Sequence, residues 1–133
     1  MNTRSKKISL LSEMIAFALV DGELHDKEYD FLLLVSKELQ IEKPAFLDLF
    51  RKRDEFIPIR EEFQRILHFY RLALIMFCDG VFHTEENKSI HQIGIAMGLN
   101  PVAMNRIIAL MQTSPDKMIA PETVICAFQE QYN

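Results

Sequence analysis

Cysteine, glycine and long apolar runs are all scarce in this chain, and each shortage closes off a class of protein. The two cysteines, Cys78 and Cys126, fall inside apolar helical patterns with neither metal-pair nor bridge spacing, so packed thiols and a reducing, cytoplasmic setting are expected. The longest uninterrupted apolar stretch, Leu72 to Cys78, is far shorter than the about 20 residues that span a bilayer, so a soluble protein is expected. Arg4, Lys6 and Lys7 precede an apolar run in the manner of a signal peptide, but Ser12 and Glu13 interrupt it and no small-residue cleavage site follows. That run reads as a helix of the mature protein. Charge of one sign is also lacking: a net charge of -4 creates no field that would gather nucleic acid or an anionic membrane.

What is present is enough apolar material for a real core. At 133 residues, 49% apolar and 26% charged, the chain has the composition of one packed globular domain, 1–133, that needs neither disulfide nor structural metal. Apolar positions recur at three and four rather than at two, and the few glycines sit at segment ends, which predicts an all-α fold of about seven helices in a compact bundle.

The first helix is expected over 5–20, with Ile8, Leu11, Ile15 and Leu19 on one stripe, and Gly22 ends it. The second, 26–40, carries Leu32, Val35 and Leu39 inward, and its Phe31–Val35 run is apolar enough to require burial on two sides. Pro44 opens a third helix through 53, and a charged stretch ending at Pro58 is the expected joint. The longest helix, 60–78, begins amphipathic with Phe63, Ile66, Leu67 and Tyr70 and ends fully apolar, as the centre of the core. A fifth helix follows over 84–97, a sixth from Asn100-Pro101 to 111, and a closing helix over 121–132 with Val124, Ile125 and Phe128 inward.

The sequence Asp21-Gly22-Glu23-Leu24-His25-Asp26-Lys27-Glu28 returns 58 positions later as Asp79-Gly80-Val81-Phe82-His83-Thr84-Glu85-Glu86. Leu32/Ile90, Val35/Ile93, Leu39/Met97 and Ile41/Leu99 continue the match as apolar pairs. The chain therefore reads as one helix triplet used twice, with halves 5–53 and 60–111. Pro44 and Pro101 are 57 apart, which implies one residue lost or gained before the third helix of a half.

Three readings of the repeated turn stay open, the last of them pH sensing by His25 and His83. In the first it is structural: His25 and His83 lie three residues before Glu28 and Glu86, the spacing of a capping box, with Asp26 and Thr84 as alternative caps, while Asp21 and Asp79 staple the hairpins through the next helix N-terminus. In the second, Asp21, His25, Glu28, Asp79, His83 and Glu86 are ligands of a divalent cation. The turns coincide with the last eight positions of an EF-hand loop, but its first and third positions would be Phe17 and Leu19, or Ile75 and Phe77, which cannot ligate calcium. An EF-hand is excluded, and what survives is an open site of two or three side chains plus water.

The two Asp-Gly-x-apolar-x-x-x-Glu turns, the helix triplets and the closing Pro121–Phe128 segment together resemble the TerB-like family, which includes tellurite-resistance proteins and the amino-terminal domain of a DnaJ-like co-chaperone. The resemblance spans nearly the whole chain. It implies an all-α fold with an internal pseudo-twofold and an acidic cluster that holds metal, matched here by Asp21, Glu28, Asp79 and Glu86. Histidine at 25 and 83 departs from the serine or threonine common at that step, and imidazole there shifts ion preference from calcium or magnesium toward zinc. With neither J-domain nor membrane helix, a co-chaperone role is not implied.

Three functions compete. The first is a small stress-associated interaction or scaffold module with an unidentified protein partner, modulated by calcium, magnesium or zinc. The alternative is a metal-dependent enzyme using the Asp/His/Glu turns, although no His-Glu-x-x-His pair occurs and neither His68 nor His91 has a ligand at helical spacing. Nucleic-acid binding through Arg51-Lys52-Arg53 and Arg60 is disfavoured because Asp54, Glu55, Glu61 and Glu62 nearly cancel that charge.

Overall fold

The computed structural model describes residues 3–20, 22, 24–52, 57–78, 80 and 84–130. Among them are seven α-helices and no strand: α1 (Thr3–Ala18), α2 (Asp26–Glu38), α3 (Lys43–Arg51), α4 (Glu62–Phe77), α5 (Thr84–Ala96), α6 (Pro101–Thr113) and α7 (Pro121–Glu130). None of these helices is long and apolar enough to cross a membrane. The chain divides into two compact units, Met1–Ile57 and Pro58–Asn133.

In the first unit α1, α2 and α3 pack on one another. Leu11, Met14, Ile15, Phe17 and Ala18 of α1, Leu32 of α2, and Phe46 and Leu49 of α3 are buried, while Ile8 and Leu19 at the ends of the expected stripe are half-buried. Phe46 lies edge-on to Phe50 at 5.2 Å between ring centroids and 5.7 Å from Tyr29, an aromatic contact that locks α3 to α2. The Phe31–Val35 run is not buried on two sides: Leu32 is sealed, but Leu34 is 56% exposed. One face of a helix is all that the neighbouring α1 and α3 cover. Arg4 reaches Glu42 at 2.8 Å, and the Ile57 N–H donates to the Ser9 hydroxyl at 2.6 Å, fixing both ends of the unit on α1 and the start of α3.

In the second unit α4 packs on α5 and α7, and α6 joins α5 to α7. From Ile66 to Phe77 every residue of α4 is buried except Leu67, Arg71 and Leu74, consistent with its apolar C-terminal half. Phe69 meets Phe128 of α7 at 5.9 Å, edge-on. Val124 and Phe128 are sealed, Ile125 is half-buried, and Cys126, expected as a packed thiol, is exposed. The buried face of α7 is Val124, Ala127 and Phe128, and a residue between these points away from it. Gly94, against the expectation that glycines mark segment ends, lies inside α5, where its missing side chain makes room for Met104 of α6.

Local geometry recurs between the units. Gly22 and Gly80 have φ of +85° and +78°, conformations that glycine adopts without a Cβ clash, and their N–H groups donate to Leu19 and Phe77 carbonyls, both at 2.9 Å. After α2 the Ile41 N–H donates to the Ser36 carbonyl at 2.9 Å, and after α5 the Leu99 N–H donates to the Gly94 carbonyl at 3.0 Å. Helices α3 and α6 begin at Lys43 and Pro101, so the 58-residue offset persists and no residue is lost or gained. Pro44 is the second residue of α3, not the first. A proline is tolerated at either position because neither N–H has an intrahelical acceptor, so its place alone does not fix the register.

Candidate functional site

The repeated turns each lead into a helix whose third residue is a buried glutamate. His25, with φ −79° and ψ 150°, is the N-cap of α2, so Asp26 is the first helical residue and not the cap. Glu28 folds back so that its Oε1 accepts the His25 N–H at 3.1 Å in a capping box. Glutamate was expected to do this; that it is sealed while doing so was not visible in the sequence. Glu28 is 1% exposed, and Glu86, third residue of α5, is 0% exposed. Glutamate is among the residues most rarely buried in full, so two such positions at matching helix starts stand out.

The buried carboxylate of Glu28 has one oxygen to spare. Oε1 is engaged by the cap, whereas Oε2 is shielded from solvent and has no hydrogen-bond partner. A sealed, unmatched carboxylate oxygen is costly unless a cation or proton meets it. Leu24, the apolar residue of the first turn, is half-buried. Asp21, Asp79 and His83, together with Phe82, lie outside the described residues, so of the six residues singled out for metal binding only His25, Glu28 and Glu86 are placed here. Among the described residues no three His, Cys, Asp or Glu side chains come together in a way that could hold a metal ion.

The remaining histidines have other work. His68 is fully buried in α4. His91 lies with Nδ1 2.8 Å from the Asn87 carbonyl and Nε2 2.7 Å from Asn105 Oδ1, so its ring joins α5 to α6. The basic stretch considered for nucleic acid is locally satisfied at Arg51, which pairs with Asp48 at 2.9 Å.

One residue of interest was missed by the sequence reading. Arg71 is half-buried in α4, its Nη1 is shielded from solvent without an acceptor, and burial pulls its pKa below the ordinary arginine value. The signal was available: Arg71 is the lone lysine, arginine or acid between Ile66 and Phe77. An arginine in the middle of an apolar stretch lays its stem along that surface, and the one guanidinium nitrogen it shields without an acceptor is the costly atom.

Compared with family models, characterised proteins and solved structures, the chain matches none.

Proposed function

We propose that this chain is a TerB-like helical interaction module, serving a stress response through a protein partner and holding a divalent cation weakly at its two acidic turns. The observation that carries the cation half is Glu28: one carboxylate oxygen caps α2, and the other is sealed and unmatched beside a turn that also supplies His25 and, in sequence, Asp21. A divalent ion offers that oxygen the positive charge it lacks, and carboxylate with imidazole is a donor set that zinc accepts more readily than calcium does. The recurrence of helix ends, positive-φ glycines and sealed glutamates 58 positions apart supports a second site of the same kind at Glu86. The module half rests on the resemblance to the TerB-like family.

The test is a chemical-shift titration of the chain with calcium, magnesium and zinc, following the amides of 21–28 and 79–86. Saturable shifts confined to these segments, lost from the first in Glu28→Gln and from the second in Glu86→Gln, are expected. Zinc should in addition move the His25 ring resonances. Flat titrations with all three ions at millimolar concentration would end the cation reading. A pull-down from cells under oxyanion stress that recovers nothing above background would end the partner reading.

A further inference from the structure

Between Ile66 and Phe77 the three positions of α4 that are only half-buried, Leu67, Arg71 and Leu74, are spaced four and three apart. Phe63, 48% exposed, lies one turn before them, and half-buried Cys78 lies four residues after Leu74 at the helix cap. Steps of four, four, three and four keep these residues on one side of a helix, so they form a continuous seam. At 1.5 Å per residue the seam runs about 16 Å from Phe63 to Leu74. It is apolar along its length and interrupted once, in the middle, by Arg71.

The guanidinium is the anomaly that points to a ligand. Its Nη1 is shielded from solvent without an acceptor, and burial lowers its pKa from the ordinary arginine value. A cation held that way is improved by any carboxylate that approaches with water excluded. An apolar residue on each side of the charge sets the shape of the occupant. A fatty acid carries its carboxylate at one end and would leave half the seam bare, whereas a helix can present apolar residues above and below a central acid.

We propose that the seam of Phe63, Leu67, Arg71, Leu74 and Cys78 docks an amphipathic helix of a partner protein whose apolar face carries one carboxylate, paired on binding with Arg71. This rests on the interaction-module reading and specifies its partner. The partner helix supplies leucine-like side chains at spacings of three and four, and the central acid sets its register. Specificity comes from the acid, because a neutral or basic residue at that point would leave the guanidinium desolvated and unmatched.

The test uses two stapled, fluorescein-labelled amphipathic peptides of about 15 residues, long enough to cover the seam. They are identical except for glutamate or lysine at the centre of the apolar face, and binding to the full chain is read by fluorescence polarisation. The intact protein should prefer the glutamate peptide at least tenfold, with a shift of the Arg71 Nε–Hε resonance on binding. Arg71→Glu should reverse the preference, and Arg71→Lys should keep it. If Arg71→Glu does not fold, Arg71→Met should bind both peptides alike. Equal affinity of the intact protein for the two peptides, saturable binding of neither, or no change of preference on substitution overturns the proposal. Loss of the Arg71 preference with a recovered partner that binds Arg71→Met as tightly as the intact chain sinks this surface and leaves the module reading standing; absence of any partner sinks both.

Discussion

The Tyr70 hydroxyl donates to the Ile119 carbonyl at 2.7 Å and accepts the Ile119 N–H at 3.1 Å, so one side chain of α4 satisfies both backbone groups of a residue just ahead of α7. Tyr70 is 7% exposed, and no secondary structure is available to Ile119 to take over these bonds. Tyr70→Phe should therefore cost about 1–3 kcal/mol in the second unit, the penalty of leaving part-buried backbone groups unmatched, measured by urea denaturation. A loss below a few tenths would mean that water replaces the hydroxyl.

The α5–α6 crossing depends on the absence of a side chain. A Cβ at Gly94 would lie 2.1 Å from Met104 Sδ and 3.2 Å from its Cε, and Met104 is fully buried. Gly94→Ala should destabilise by about 1–3 kcal/mol despite the better helix propensity of alanine. In a Met104→Ala background the same change should be nearly neutral, because the atom it strikes is gone, and a double-mutant cycle by thermal denaturation reads the coupling directly. Additive penalties would mean that the cost arises elsewhere.

Gln40 and Gly98 end equivalent helices in left-handed backbone, with φ of +60° and +79°. Only the second copy uses the residue suited to it. Gln40→Gly should raise stability by about 0.5–1 kcal/mol, visible as a higher Tm, since relief of the Cβ clash exceeds the extra chain entropy of glycine. A lower Tm would show that the glutamine side chain contributes more than its backbone conformation costs.

Arg4 and Glu42 make a charge-assisted hydrogen bond whose sign in acid can be stated. The Arg4 hydrogen bond first, then Glu42's own backbone N–H, hold the Glu42 carboxyl below the usual glutamate range. A carboxyl lowered in the folded state adds stability above its unfolded pKa and loses it as pH falls through the folded one. Glu42 should therefore titrate in NMR below an ordinary glutamate, and Arg4→Gln should return it toward that range. Both groups are exposed, so the effect should weaken in high salt.

The sequence determined by itself which segments are helical and where most of them stop. Apolar spacing of three and four, glycine at 22, 80 and 98, and Asn100-Pro101 act through local backbone sterics and hydrogen bonding, and the observed ends agree within a few residues. The third helix shows the limit of such signals, since Pro44 sits as comfortably at the second helical position as at the first, and the offset read from it was wrong by one. The candidate site was legible as a repeated acidic turn with a capping box, because a cap is a contact between residues three apart.

Burial was decided by tertiary structure. Leu34 and Cys126 look as apolar as Leu32 and Val124, yet only the latter pair is sealed, because neighbouring helices cover one side of a helix and sequence alone does not say where that side ends. Glu28 and Glu86 look like solvent residues and are sealed. Arg71 looks like one charge among many and is half-buried in an apolar seam with its Nη1 shielded from solvent. Helix formation depends on residues within a turn of each other, whereas desolvation depends on atoms brought from distant parts of the chain, and it is desolvation that singles out these three side chains.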